Sequence, residues 1–149
     1  MFRFIGKASL SGYLLLGLMA CGDHLPLSGG ALTGEPAAAP MTWMGVAIDD
    51  IIQLETQGEA PYSVNLWTVL VDDDLHVFAG DNYANWVEHI EGNALVRLQS
   101  DNLVYALKAE RITDPAHFEQ FAQAWETKYG NRPRNESVQE TYLFRLTKR

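Results

Sequence analysis

The stretch from Ser63 to Ile112 constrains the fold most, because its apolar period switches from two to helical and back. Ser63 to Val71 and Leu75 to Gly80 alternate on either side of Asp72-Asp73-Asp74, which is the composition of a hairpin. In the first run Val64, Leu66, Thr68 and Leu70 share one face, and Asn65, Trp67, Val69 and Val71 share the other. Both faces are largely apolar, so a strand here is covered on both sides. Residues 81 to 93 then take a helical period, with Asp81 as N-cap and Gly92-Asn93 as the stop. Ala94 to Gln99 and Leu103 to Ile112 return to strand, joined at the turn Ser100-Asp101-Asn102.

The flanks extend this frame. Ile51 to Thr56 reads as a strand closed by Gly58 and Pro61, while Met41 to Asp50 fits either a strand or a short helix. Asp114-Pro115 opens a helix, since Asp accepts from free N–H groups and Pro suits the first helical position. Phe118, Phe121, Ala122, Trp125 and Tyr129 recur on one face of that helix, and Gly130 ends it. After a polar loop, Glu140 to Arg149 alternates as a last strand. The expected class is α+β: a small six-stranded antiparallel barrel whose ends are plugged by two helices.

The N-terminal segment is of another kind. Arg3 and Lys7 precede an uncharged apolar run, Ala8 to Ala20, too short to span a bilayer and shaped like a secretory signal. It ends in Leu18-Met19-Ala20-Cys21, and Cys21 is the only cysteine. This resembles the lipobox of bacterial lipoproteins, which implies acylation of Cys21 and attachment to a membrane through it. Gly22 rather than Asp follows, which in Gram-negative relatives implies the outer membrane, facing the periplasm. Gly22 to Pro40 is rich in Gly, Pro and Ala without a period and reads as a flexible tether. The expected organisation is a signal peptide over 1–20, a lipidated cysteine and linker over 21–42, and one domain over 43–149.

Charge narrows the partners. Without Arg3 and Lys7, nine Lys and Arg face nineteen Asp and Glu, a net charge of −10. Such a surface excludes nucleic acid as an expected partner. No Lys or Arg lies between Lys7 and Arg97, where twelve acidic residues fall.

Leu66 to Gly130 resembles the split β-barrel domains of the pyridoxamine-phosphate-oxidase-like and deazaflavin-dependent nitroreductase-like proteins. The matching parts are the acidic hairpin Leu66 to Val77, the run Asn85 to Leu98 with its Trp- and His-bearing short helix and following strand, and the capped Asp114-Pro115 helix. The resemblance implies a six-stranded split barrel and FMN or a deazaflavin lying across it. It further implies an oxidoreductase, and a homodimer across the sheet. Nitroreductase-like members carry Thr-x-Gly and then a basic residue before the first long strand. Here Thr56 and Gly58 match, and Glu59 stands at the basic position. The residues themselves assign no cofactor.

The candidate ligand-binding residues are Asn65, Trp67, Tyr83, Trp86 and His89. Trp67, Tyr83 and Trp86 could stack on a ring ligand or serve as core. Asn65 shares a strand face with Trp67. His89 beside Glu88 could move a proton or simply be a satisfied histidine. His76 and His117 lack metal-ligand spacing to any other histidine, His24 falls in the tether, and the three-Asp turn lacks the rest of a calcium loop, so no metal site is expected. There is no nucleophile elbow, phosphate loop or supported carboxylate pair, and no catalytic residue is assigned. The expected function is a lipid-anchored envelope domain that binds a small ring-containing ligand. The alternatives are a flavin- or deazaflavin-dependent oxidoreductase and a purely structural or protein-interaction lipoprotein.

Overall fold

The computed structural model describes residues 29–44 and 51–149. Cys21 and His24 lie outside the described residues. In chain order the elements are β1 (Glu35–Ala37), β2 (Ile51–Gln57), β3 (Pro61–Val71), β4 (Asp74–Phe78), α1 (Asn85–Gly92), β5 (Leu95–Ser100), β6 (Leu103–Arg111), α2 (Pro115–Tyr129) and β7 (Leu143–Lys148).

Six of these strands close on themselves. The sheet runs β6-β5-β2-β3-β4-β7, and β7 pairs back onto β6, all antiparallel. Closure abolishes the free edges that an open sheet of this size would present. Strand β3 makes the barrel turn: residues 61–67 pair with β2 and residues 68–71 with β4. The hairpin between β3 and β4 is tight because Asp72 and Asp73 both take positive φ, 49° and 67°, a conformation Asp tolerates through its short polar side chain. Asp74, read from sequence as turn, already belongs to β4.

Two cores divide the apolar residues. Ile52, Leu54, Leu75, Val77, Val96, Leu98, Leu107 and Leu146 fill the barrel interior, each contributing about 2 kcal/mol on burial. Helix α1 plugs one end of this interior with Trp86, Val87 and Ile90. The second core lies on the outer wall, where Phe118, Phe121, Ala122 and Trp125 of α2 meet Val69, Val71 and Leu143. So α2 is not the second plug that the sequence suggests. Its broad aromatic face needs a wide apolar partner, and the outward residues of β3 and β7 supply one. Asp114 caps α2 as expected, accepting from the Ala116 and His117 N–H groups.

Three local expectations are corrected. Asp81 does not cap α1: the helix starts later, at Asn85, with Ala84 at the cap and no side-chain bond there. Strand β7 starts at Leu143, because residues 138–141 form a turn in which Thr141 N–H and Oγ1 both donate to Ser137 O. The described part of the stretch read as tether is docked rather than free. Gly29 N–H donates to Ser63, Leu32 is buried, and β1 runs parallel to β6 along residues 103–105, beyond the end of β7. Gly34 permits this approach, since a Cβ there would stand 2.8 Å from Asn102 O. Trp43 continues the strap into the barrel core, edge-on to Tyr105.

Candidate functional site

Alternation along β3 decides where each candidate residue lies. Asn65 and Trp67 point to the outer wall, opposite Gln53 and Ile51 of β2. Trp67 is half exposed and stacks on Tyr129 of α2, with ring centroids 5.0 Å apart. Trp86 faces the other way and is buried against Phe144, so it offers no surface to a ligand. Tyr83 packs on Tyr142, and its hydroxyl donates to Glu91, which raises its pKa. His89 sits on α1 beside the β2–β3 turn. The five candidates therefore do not converge: Asn65 and Trp67 share the outer wall, Trp86 is core, and Tyr83 and His89 stand apart from them.

His89 stands in a corner built from β2, β3 and α1. Thr56 is fully buried and its Oγ1 lies 3.3 Å from Tyr62 O and 3.0 Å from His89 Nδ1. The hydroxyl proton can go only one way. If it is donated to the Tyr62 carbonyl, Oγ1 must accept from His89, so Nδ1 carries the proton and Nε2 is a bare acceptor. Nε2 faces Gly58 and has no protein hydrogen-bond partner among the described residues. A Cβ at Gly58 would stand 2.6 Å from it, so glycine is what makes room for the ring. Tyr62 packs edge-on to the imidazole at 5.4 Å. Beyond it Val64 and Leu66 continue along the inward face of β3, packed on the core but only partly buried. The corner thus offers an apolar wall, an aromatic edge and one oriented nitrogen lone pair.

Two further arrangements escaped sequence reasoning. Glu55 is buried on the outer wall and accepts from Arg97 Nε (2.8 Å) and Nη2 (2.5 Å), Leu32 N–H (2.7 Å) and Gln57 Nε2 (2.8 Å). Burial alone would raise its pKa, but the bonds from Arg97 and Leu32 outweigh it and hold the carboxyl below its ordinary value. This carboxylate clips the strap to the barrel. On the far wall His76, fully buried on β4, meets His117 of α2 with Nε2 atoms 2.8 Å apart. Their separation in sequence hid the pairing. Among the described residues no group of three or more His, Cys, Asp or Glu could hold a metal ion.

No family model matches the chain, and no curated protein matches it. Solved structures do. A Bacteroides thetaiotaomicron protein named for 5-nitroimidazole antibiotic resistance superposes with a TM-score of 0.52 at 15% identity, covering 65% of this chain and 71% of that one. A Listeria innocua protein named as a pyridoxamine 5'-phosphate oxidase gives 0.51 at 16%, covering 66% and 83%. A Clostridium acetobutylicum protein of the pyridoxinephosphate oxidase family gives 0.50 at 19%, covering 67% and 75%. The fold is therefore the split barrel of pyridoxamine-phosphate-oxidase-like proteins. At these identities the likeness extends to the fold alone.

The fold raises the question of a phosphorylated flavin, and the residues at the corner do not fit its phosphate. Thr56 Oγ1 is committed to His89 and Tyr62, and Glu59 is exposed where a cation would be needed. Several cations among the described residues are engaged elsewhere. Arg97 is clipped to Glu55, Arg111 binds Glu91 and the Thr141 carbonyl, Arg132 faces Glu119, Glu126 and Glu136, and Arg145 pairs with Glu110. Lys128 donates to Thr68 O, and Arg134 stands on the loop that leaves α2.

Proposed function

We propose that this chain is an envelope protein, held to a membrane by acylated Cys21, whose split barrel binds a small ring-containing ligand at the corner of β2, β3 and α1. The observation that carries the reading is the setting of His89: Thr56 Oγ1 bonds its Nδ1, Gly58 makes room for its ring, and Tyr62 packs edge-on to it at the end of the partly buried apolar face of β3. Ligand sites are mostly apolar with a few placed polar groups, and this corner has that composition. No reaction is assigned to the corner.

Likeness to proteins named as pyridoxamine-phosphate oxidases favours a second reading, a flavin-dependent oxidoreductase. A domain-swapped dimer among the similar folds favours self-association. Purification and an absorbance spectrum separate the readings. A colourless protein whose tryptophan fluorescence responds to ring compounds supports binding without bound flavin, and a stoichiometric flavin band supports the oxidoreductase. Fluorescence indifferent to every ring compound contradicts both. Cys21→Ser should leave the protein unprocessed or soluble, and membrane attachment of a cleaved Cys21→Ser form would contradict the anchor.

A further inference from the structure

We infer that the corner selects a ring ligand that carries no phosphate and presents an N–H or O–H donor to His89, a reading that deepens the proposed ligand site and rests on it. Two independent features lead there. The first is the hydrogen-bond inventory at His89. With the Thr56 hydroxyl proton on Tyr62 O, Oγ1 takes its second bond from Nδ1–H, so the imidazole meets a ligand through the Nε2 lone pair, and a lone pair requires a donor. A phosphate oxygen at neutral pH is chiefly an acceptor and would face the wrong atom.

The second is charge. Thr56-Gln57-Gly58-Glu59 places a carboxylate directly after the turn that frames His89, and Glu88 precedes His89 on α1. Both carboxylates are exposed. Up to Arg97 no described residue is Lys or Arg, and Arg97 itself is spent on Glu55. A dianion entering the corner meets two like charges without compensation, whereas a neutral ring meets none of this cost. Thr56 and Gly58, which at first sight invite a phosphate, here serve to orient and accommodate an imidazole.

Riboflavin and FMN test this, because they share one ring with an N–H donor and differ by a phosphate. Titrating each into the full-length protein, followed by flavin fluorescence, should give at least tenfold tighter binding of riboflavin. Added salt should narrow the gap by screening the repulsion, and Glu59→Lys should narrow it further. His89→Ala should weaken riboflavin at least tenfold, while His89→Gln, which retains an acceptor, should recover part of the loss. FMN binding as tightly as riboflavin, or a His89→Ala variant with unchanged affinity, overturns the inference and leaves the ligand site standing. If neither flavin binds, nor the side-chain-free ring lumichrome, the ligand-site reading itself falls.

Discussion

Substituting His76 should remove one acid-sensitive contribution to stability, and the size of the effect follows from its burial. His76 is wholly enclosed on β4, opposite Arg145 of β7 and against His117 and Phe121 of α2. Its Nδ1–H donates to Asp74 O, so Nε2 must accept from His117. Burial, with the charges of His117 and Arg145, pushes its pKa down to about 4 from an ordinary 6.5, against the opposing pull of the Asp74 carbonyl. Between these values the unfolded chain binds a proton that the folded chain refuses. Stability is therefore complete above pH 6.5 and falls as pH drops toward 4. At 1.36 kcal/mol per unit the loss is about 3 kcal/mol over the window. Below pH 4 this contribution stops changing. Protonation would set two N–H donors face to face and release the start of α2. Urea unfolding of wild type and His76→Phe, followed by tryptophan fluorescence from pH 7.5 to 4, isolates the term because shared titrations cancel. The variant should be less stable at pH 7.5, by about 1–2 kcal/mol for the lost hydrogen bonds, and should close the gap or overtake as pH falls. A difference that stays constant across the pH range would refute the reasoning.

Three further outcomes are expected. Glu55→Gln should free the strap: amide exchange should accelerate over 29–37, and stability should fall by about 2 kcal/mol, discounted because Arg97 is 35% exposed. Unchanged exchange there would contradict the clip. Gly58→Ala should displace the His89 ring and cost about 1–2 kcal/mol together with most ligand affinity, read by thermal unfolding and titration. Gly130→Ala should cost about 1 kcal/mol, because Gly130 holds φ at 81° in the α2 cap, and a neutral result by urea unfolding would speak against that cap.

Much of the fold was legible because local signals agreed. The alternation on both faces of Ser63 to Val71 reflected a strand between a barrel interior and an outer helix. Asp114-Pro115 marked α2 by cap chemistry alone. What escaped was long-range. Nothing near Leu32 says that a Gly- and Ala-rich segment will lie across a wall, since its grip comes from Glu55, a carboxylate twenty-three residues away. His76 and His117 lie forty-one residues apart and meet only because α2 folds over β4. The candidate ligand residues show the same division. Trp67 and Trp86 look alike in sequence, yet one stacks on the outer wall and one is core. His89 was singled out, but its tautomer depends on Thr56, which the Thr-x-Gly pattern associates with a different role.

The most direct test of the ligand site is an amide chemical-shift titration of the full-length protein with riboflavin. A ligand at the β2–β3–α1 corner predicts saturable shifts confined to residues 56–66 and 85–93, with the His89 amide among the largest. Shifts centred on Trp67 and Tyr129 at the outer wall, or none at saturating riboflavin, would contradict it.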